Sequence, residues 1–400
     1  MTTSQTSRRA ALGLLGLGTA GGLLAVSGGH TPAEAGGTAP KDPVPADLLP
    51  GGALDTLIAQ RAAADQYSGT YLLLHDGRPV LSRIHGLADK SRSLPNTPHT
   101  IFGLGSITKV FTGIAVARLV QERKIAYHEK LGTYLDGFPA EVAGAVTVHQ
   151  LLTHTSGMGD IYSEVNGPAI QSWSSEADVT AGLLRLVRAS PLEFTPGTSY
   201  RYSNAGYVTL QFIVAAVSGQ TFYDFVRQHV FRAAGMASTD FYDRDQCRRD
   251  RRIAHPYAPE DLRVGGPRID HLEQVEFLGN GAGGAYSTTA DLITFVTALT
   301  GHKLLDAQHT WLATTPKTPV PPPGPPPAGK PPQFLFEGYG PSATLTNGHW
   351  LLGHNGGSSN GISTDLTWYP DDGYLAIDLC NYESGITRDI ENLCKQLITR

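Results

Sequence analysis

The segment Gly105-Ser106-Ile107-Thr108-Lys109 and the apolar run behind it, Val110 to Val120, decide the fold of this chain. The run is apolar on nearly every side, which predicts a helix buried in the middle of a domain. Ser106 is expected to begin this helix. Because residues three apart share one face of a helix, Lys109 should lie one turn above the Ser106 hydroxyl group and point the same way.

This pair suits a nucleophile and its activating base. A buried ammonium loses its hydration, so the pKa of Lys109 should fall and the amine should be neutral or share a proton near neutral pH. The helix N-terminus adds backbone N–H groups where an acyl oxygen would gain negative charge. A helix-capping serine followed by an exposed lysine is the alternative. The apolar run favours the first interpretation, since solvated lysines do not usually open all-apolar helices.

Length and charge limit the classes of function. The chain has 400 residues, of which 40% are hydrophobic, and a formal net charge of -5 at pH 7. This length allows a large core and two closely joined subdomains. The mild charge gives no reason to expect nucleic acid as a partner, and no run behind the N-terminal segment is long and apolar enough to cross a bilayer.

Residues 1–35 are typical of a targeting signal. Ser7-Arg8-Arg9 precedes the weakly apolar stretch Ala10 to Val26, and Ala33-Glu34-Ala35 resembles a cleavage site. Paired arginines before such a stretch indicate twin-arginine export, with a Sec signal or an uncleaved anchor as the alternative. No cysteine lies near the cleavage region, which disfavours a lipid anchor. The sequence therefore predicts a secreted bacterial protein without a stable membrane anchor.

Sequence patterns typical of strands cluster at both ends of the chain. The N-terminal ones follow a Pro-rich spacer at residues 36–50. The turn Asp76-Gly77 joins two predicted strands. The strands expected are Tyr71 to His75, Val80 to Ile84, Trp350 to Gly353, Ile362 to Tyr369 and Tyr374 to Leu379. The helices expected besides the central one are Leu54 to Gln66, Gly206 to Val217, Phe222 to Phe231, Thr289 to Thr300 and Asp389 to Ile398.

This order of elements predicts an α+β domain over residues 51–400. An antiparallel sheet is built from both chain ends, about 51–105 and 334–400, and is flanked by helices. A mainly helical subdomain, about 106–315, is inserted between them. Pro316 to Pro332 is too rich in proline for a helix or a central strand, so we expect a polyproline loop there.

Arginine and cysteine residues have plain explanations. The cluster Arg248, Arg249, Arg251 and Arg252 alternates with aspartates, so a solvated loop is favoured over an anion site. Cys247, Cys380 and Cys394 are interpreted as structural. The spacing permits a disulfide between Cys380 and Cys394 but does not decide it.

Tyr202-Ser203-Asn204 lies in front of a predicted helix and offers two polar groups. A lysine ammonium favours the phenolate form of a neighbouring tyrosine, which makes Tyr202 a candidate general base for Ser106 and a later acid for the leaving group. Asn204 offers an amide to orient Lys109 or a substrate carbonyl. A surface loop with a buried tyrosine is the alternative.

His354-Asn355-Gly356-Gly357 ends a predicted strand, where glycines allow a substrate backbone to approach closely. The N–H groups of Gly357 and Ser106 could form an oxyanion hole, which typically contributes ~3 kcal/mol per donor. His354 taken alone is better explained as a structural histidine.

Two other patterns are interpreted as fortuitous. Gly357-Ser358-Ser359-Asn360-Gly361 matches a nucleophile elbow, which makes Ser359 a rival to Ser106. That motif needs a histidine behind the serine and a helix directly after it, and the sequence offers neither. His149 and His154 have no Glu or Cys set to complete a metal site, and no glycine-rich phosphate loop is present, so no metal or cofactor is expected.

Ser106-x-x-Lys109, Tyr202-x-Asn204 and His354-x-Gly356, in this order, resemble the serine beta-lactamase and D-alanyl-D-alanine carboxypeptidase superfamily. The likeness covers about Leu54 to the C-terminus and is closest to class C beta-lactamases, DD-peptidases and related esterases. It implies a beta-lactamase/transpeptidase-like fold with the site in the cleft between sheet and helices. It also implies a covalent acyl-Ser106 intermediate without a metal or cofactor, proton exchange between Lys109 and Tyr202, and a substrate contact by Asn204.

The strand motif departs from that of class C beta-lactamases, which carry Lys-Thr-Gly where this chain has His354-Asn355-Gly356. No Lys or Arg occurs between Lys330 and Arg388, so only His354 or an arginine of the 248–252 loop is left to bind a substrate carboxylate. The resemblance therefore implies a DD-carboxypeptidase, peptidase or esterase with a small-molecule or peptidoglycan-like substrate. We expect the chain to be a monomer. Beta-lactamase activity, or an idle protein that binds peptidoglycan or beta-lactams, is the alternative.

Overall fold

A computed structural model describes residues 43–163, 166–322, 324 and 332–400. The described residues belong to one compact unit. The twin-arginine-type signal predicted at residues 1–35 lies outside them, as do the beginning of the Pro-rich spacer and most of the Pro-rich loop. No helix in the described ranges is long and apolar enough to span a membrane.

The strands lie near both ends of the chain, with short pairs between. They are β1 Gly69–His75, β2 Arg78–His85, β3 Leu87–Asp89, β4 Leu94–Pro95, β5 Phe102–Gly103, β6 Tyr257–Pro259, β7 Arg268–Asp270, β8 Tyr286–Ser287, β9 Thr318–Pro319, β10 Gln333–Glu337, β11 Ser342–Thr346, β12 His349–Ser358, β13 Ile362–Tyr369 and β14 Tyr374–Cys380.

One antiparallel sheet contains eight of the described strands, in the order β2-β1-β14-β13-β12-β11-β10-β9. Strand β1 from the N-terminal end pairs with β14 from the C-terminal end, Gly69 opposite Cys380 and His75 opposite Tyr374. The prediction of an antiparallel sheet built from both chain ends is thus confirmed. The sequence analysis missed β10 and β11 and ended β12 five residues early, at Gly353.

The helices fill the middle of the chain and flank the sheet. They are α1 Ala53–Ala63, α2 Thr108–Gln121, α3 Ala140–Ala143, α4 Val148–Leu152, α5 Gly167–Gln171, α6 Glu176–Ala189, α7 Asn204–Ser218, α8 Phe222–Val226, α9 Arg244–Arg249, α10 Thr289–Thr300, α11 Ala307–Thr314 and α12 Arg388–Ile398. The helix expected over Phe222 to Phe231 is α8 followed by one π-helical segment, Arg227–Arg232.

Alternation along the strands divides the core into two layers. In β1, Tyr71 and Leu73 face α1 and α12 on one side of the sheet, while Leu72 and Leu74 face the larger helical core on the other. In the described part of the predicted spacer, residues 43–50, Leu48 is fully buried in the first of these layers.

All three cysteines are buried free thiols; Cys380 and Cys394 lie in the first of these layers, and Cys247 packs in a separate small cluster with Ile101, Ile253 and Leu272. The disulfide that the spacing permits between Cys380 and Cys394 does not form in this structure. Burial raises the pKa of both thiols to about 12, so each remains protonated and unreactive near neutral pH.

Helix α2 is buried on every side over its first ten residues, as its apolar run predicts. It passes so close to the chain in front of β11 that a Cβ atom on Gly113 would lie 2.2 Å from the Tyr339 carbonyl oxygen and 2.6 Å from the Gly340 Cα atom. This contact fixes the helix, and with it Ser106 and Lys109, against the sheet.

The Gly113→Ala variant should lower the free energy of unfolding by about 2 kcal/mol, because overpacking outweighs the ~1 kcal/mol that alanine gains in a helix. Urea unfolding followed by circular dichroism measures the change. Gly167→Ala is the matched control, since a Cβ atom there meets nothing within 4 Å. Equal free energies of unfolding for the two variants would show that the close contact at Gly113 does not affect stability.

Candidate active site

Ser106 lies in a single 3-10 turn, Gly105–Ile107, that leads directly into α2. The turn requires glycine at its start, because Gly105 has a φ of +52° and a Cβ atom there would lie 2.8 Å from the Gly357 nitrogen. Thr108 Oγ1 donates to the Gly105 carbonyl oxygen at 2.7 Å and accepts from the Ala285 N–H at 3.0 Å. These contacts hold the Ser106 side chain at a fixed place in the cleft.

The Lys109 amine is fully buried and lies one helical turn from Ser106. Its Nζ atom is 3.2 Å from Ser106 Oγ, 2.8 Å from Asn204 Oδ1 and 2.5 Å from the Ala282 carbonyl oxygen. The geometry predicted for the Ser106–Lys109 pair is confirmed. Burial lowers the pKa of Lys109 to about 7, against the opposite effects of Asp160, Glu337 and Glu276.

A pKa near 7 means that about half of the Lys109 amines are neutral at neutral pH. A neutral amine has two N–H groups and one lone pair. If the N–H groups donate to Asn204 Oδ1 and the Ala282 carbonyl, the lone pair is left for the Ser106 hydroxyl. The neighbouring acceptors therefore orient Lys109 as a base toward Ser106.

Asn204 is the first residue of α7, whose N-terminus is capped by the Ser203 side chain. Its Nδ2 group donates to both carboxylate oxygens of Asp160 at 3.1 Å, so the amide oxygen faces Lys109. This hydrogen bond is the contact required for one of the two roles predicted for Asn204, the orientation of Lys109. The substrate contact stays a prediction.

Tyr202 lies beside this pair but differs from its expected ionisation state. The Lys109 Nζ atom is 4.8 Å from the centroid of the Tyr202 ring. The centroid of the His154 ring is 4.4 Å from the same centroid. Burial raises the pKa of Tyr202, and Glu337 and Asp160 raise it further, whereas a hydrogen bond with Ser106 acts in the opposite direction. The prediction that Lys109 favours the phenolate is therefore wrong, and the hydroxyl group stays protonated near neutral pH.

His354 lies on β12 across the cleft and is 8% exposed. Burial lowers its pKa to about 4, with a further contribution from Lys109. Its Nδ1–H donates to the Asn355 carbonyl oxygen at 2.5 Å. His354 is thus neutral near pH 7 and supplies no positive charge for a substrate carboxylate, which corrects the role left open for it.

The two glycines after Asn355 bring β12 against the Ser106 turn. A Cβ atom on Gly356 would lie 2.0 Å from the Leu104 carbonyl oxygen, which also accepts a hydrogen bond from Thr364 Oγ1 at 3.0 Å. Gly357 is exposed and its nitrogen faces Gly105. Asn355 is exposed at the same edge, opposite Asp365 of β13. The oxyanion hole of Ser106 and Gly357 N–H groups stays a prediction that this close approach favours.

A cavity of about 500 Å³ opens over Ser106 between these elements. Asn204, Tyr162, Glu276, Gly357 and Ser359 are among its lining residues. Glu276 is the only Asp, Glu, Lys or Arg that lines it within the described ranges. Burial raises the pKa of Glu276 to about 7.

Sequence reasoning missed Asp160, Glu276 and Glu337, whose charges act on Lys109. None of the three belongs to a spaced motif with Ser106. No pattern in the sequence around Asp160 marks its carboxylate as part of a site. The carbonyl of Ala282 carries no sequence signal at all.

The structure also bears on the rival patterns. Ser359 lies in the turn between β12 and β13, so no helix follows it and the elbow geometry is absent there. The predicted solvated loop is in part a helix, because Arg248 and Arg249 end α9. Arg248 pairs with Asp245 and Glu273, and Arg252 pairs with Asp250. Within the described ranges, no group of His, Cys, Asp and Glu residues could hold a metal ion.

Comparison with known proteins places the chain in context. The family model described as Beta-lactamase matches residues 54–393. Putative penicillin-binding protein PbpX of Bacillus subtilis (strain 168) is 29% identical over 60% of this chain and 56% of its own length. Esterase EstB of Burkholderia gladioli is 31% identical over 48% of this chain and 51% of its own length. The chain thus spans about half the length of these curated relatives.

A solved structure extends the likeness over most of the fold. The crystal structure of a penicillin-binding protein from Bacillus halodurans superposes with a TM-score of 0.72 at 28% identity, over 85% of this chain and 98% of that chain. The predicted α+β architecture, an antiparallel sheet flanked by helices with a helical insertion, is confirmed.

The rate of Ser106 modification should rise about tenfold per pH unit below about pH 7 and level off above it, since only the neutral Lys109 amine accepts the Ser106 proton. Labelling by a fluorophosphonate from about pH 5 to about pH 9 measures the profile. Glu337→Gln should move the midpoint to lower pH, because Glu337 raises the pKa of Lys109. A profile without slope below neutral pH would contradict the assignment of Lys109 as the base.

Proposed function

The chain belongs to the beta-lactamase family, and from that premise we propose that it is a secreted serine hydrolase of the peptidase and esterase type. It forms an acyl-enzyme on Ser106 while it cleaves a peptide-like amide or an ester. The observation that carries this proposal is the 3.2 Å contact between Ser106 Oγ and the buried Lys109 amine, whose pKa is lowered to about 7.

Acylation begins when Lys109 accepts the Ser106 proton as Oγ attacks the substrate carbonyl carbon. The carbonyl oxygen gains negative charge between the N–H groups of Ser106 and Gly357, which stabilise it by typically ~3 kcal/mol per donor. Because burial destabilises the new Lys109 ammonium, the proton leaves it readily for the next step.

Tyr202 passes this proton to the leaving group. Its raised pKa keeps the phenol protonated, so the hydroxyl group donates to the departing nitrogen or oxygen and regains a proton from Lys109. Water then attacks the acyl-Ser106 carbonyl and gives up a proton to Lys109 and Tyr202, which pass it to Ser106 Oγ as the bond between Oγ and the acyl carbon breaks. These steps use the side chains of Ser106, Lys109 and Tyr202 together with backbone N–H groups, and they call for no metal or cofactor.

The charge of the cavity limits the substrate. His354 is neutral near pH 7. Arg248 is already paired with Glu273, and Arg252 with Asp250. No Lys or Arg lines the described part of the cavity. A carboxylate near the scissile bond therefore finds no permanent cation. This favours esters and uncharged peptide-like amides over beta-lactams and C-terminal D-alanine carboxylates.

Other parts of the proposal rest on sequence. Export is supported by Arg8-Arg9 in front of the weakly apolar stretch 10–26. The chain acts as a monomer on a small-molecule or peptidoglycan-like substrate. An idle binding protein is disfavoured, because binding alone does not need a neutral amine held against Ser106.

Incubation with a fluorophosphonate should add one adduct to the wild-type chain and none to Ser106→Ala, as measured by intact mass. Ser359→Ala is the matched control, since Ser359 lines the same cavity and should leave labelling unchanged. An adduct that persists in Ser106→Ala would overturn the proposal. Absence of any adduct on the wild type, together with reversible penicillin binding, would favour the idle binding protein.

The rates of turnover of three substrates should reflect the lack of a cation in the cavity. Two are followed by colour and the peptide by chromatography. A short-chain nitrophenyl ester should be cleaved at least about tenfold faster, by kcat/KM, than nitrocefin or an acyl-D-Ala-D-Ala peptide, because the latter two carry a carboxylate. Ser106→Ala provides the background rate. Preferred turnover of nitrocefin would instead identify a beta-lactamase.

Export is tested by replacing Arg8 and Arg9 together with lysine in the full chain. The charge is unchanged, so a Sec signal would still function, whereas twin-arginine export should fail. Immunoblots of culture fluid and cells from a bacterial host measure the outcome. Wild type should accumulate outside the cells and the double variant inside. Equal release of both would contradict twin-arginine export.

A further inference from the structure

Glu276 is the cavity residue that the acylation mechanism leaves without a task. Its Oε2 atom accepts a hydrogen bond from Asn280 Nδ2 at 2.9 Å, and the same Asn280 group donates to the Tyr162 hydroxyl oxygen at 2.8 Å. Asn280 is fully buried. The carboxyl group is therefore held in one place in the cavity wall.

The loop that holds Glu276 also holds the catalytic amine. Asn280 Oδ1 accepts from the Ala282 N–H at 2.9 Å, and the Ala282 carbonyl oxygen accepts from Lys109 Nζ at 2.5 Å. Gly281 fixes the loop to α2, since its carbonyl accepts from Thr112 Oγ1 at 2.7 Å. Glu276 thus has a set position relative to the nucleophile.

No Lys, Arg or His in the described part of the chain forms an ion pair with Glu276. A desolvated carboxyl group without a counter-ion is costly, and burial accordingly raises its pKa to about 7. Hydrogen bonds from Tyr162 and Asn280 and the charge of Lys109 act in the opposite direction. A cation that enters the cavity would supply the missing partner and would favour the ionised form.

The rest of the cavity wall suits a cation as well. Tyr162, Tyr242 and Tyr286 line it, and the faces of aromatic rings attract ammonium groups. The described lining contains no Lys or Arg that would repel such a group. The same charge distribution that disfavours a substrate carboxylate therefore favours a substrate ammonium.

We propose that Glu276 binds a primary ammonium group of the substrate, so that the cavity selects amino-acid-like esters and amides whose amino group is free. The inference rests on the proposed acyl-enzyme at Ser106 and names its substrate class. Glu276 is then a specificity residue. It binds the substrate ammonium and does not itself take the proton of Ser106.

Glu337 provides a matched control inside the same molecule. Glu337 is a buried carboxyl group whose pKa is also raised to about 7, and its charge also acts on Lys109. Its Oε1 atom accepts from the Tyr200 hydroxyl at 2.8 Å, and it does not line the cavity. A change at Glu337 therefore alters the field at Lys109 without removing a contact to a substrate.

The experiment compares D- and L-leucine methyl esters with their N-acetyl counterparts on the wild type, Glu276→Gln and Glu337→Gln. The wild type should prefer one free-amino ester over its N-acetyl form. Glu276→Gln should lower kcat/KM for that ester by about 10- to 100-fold, mainly through KM, since a hydrogen bond to a charged group is lost. Its N-acetyl activity should change by less than about threefold. Glu337→Gln should change both substrates by the same factor.

Fluorophosphonate labelling of every variant separates this inference from the function beneath it. Labelled variants with no difference between free-amino and N-acetyl esters would overturn the role of Glu276 and leave the serine hydrolase intact. An equal loss of kcat on both esters in Glu276→Gln would assign Glu276 to activation of the deacylating water and would also overturn the inference. Failure of the wild type to label at Ser106 would instead overturn the proposed function.

Discussion

Burial of the Lys109 amine is the constraint on which the site depends. The lysine occupies a helix with no exposed face at that point, and its pKa falls from 10.5 to about 7. At 1.36 kcal/mol per pKa unit, this difference costs the folded state roughly 5 kcal/mol. A lowered lysine pKa reduces stability below about pH 7, and the cost disappears as the pH rises toward 10.5. The fold therefore gives up stability to keep a base next to Ser106.

The sheet completes the site around this base, because it places strand β12 next to Ser106. Strand β12 lies against the Ser106 turn, and its neighbours β13 and β14 pair onward to β1 from the other end of the chain. At the contact, side chains are excluded on both sides, with Gly105 facing Gly357 and Gly356 facing Leu104. The cleft is thus formed by strands from both chain ends, the start of one helix and a run of glycines. Its polar groups come from the backbone as much as from side chains.

Local patterns predicted what depends on local geometry. The three-residue spacing of Ser106 and Lys109, the Asp76-Gly77 hairpin and the alternating C-terminal strands follow from helix and strand periods, and the structure has them. Strands β10 and β11 were missed because each has only five residues, and the first three residues of β10 are exposed, so no clear alternation marks it. The ionisation state predicted for Tyr202 was wrong, and that of His354 was left open. Both depend on desolvation, which is set by neighbours distant in sequence. Glu276, Asp160 and Glu337 were missed for the same reason.

These three carboxyl groups explain why the Lys109 pKa stops near 7. Burial alone would lower it further, and each carboxyl raises it. They differ in what else they contact: Asp160 orients Asn204, Glu337 accepts from Tyr200, and Glu276 lines the cavity. A cation bound at Glu276 would cancel part of the negative field and lower the pKa of Lys109, leaving more of the amine neutral. Binding of a substrate ammonium and activation of Ser106 are in this way coupled through one carboxyl group.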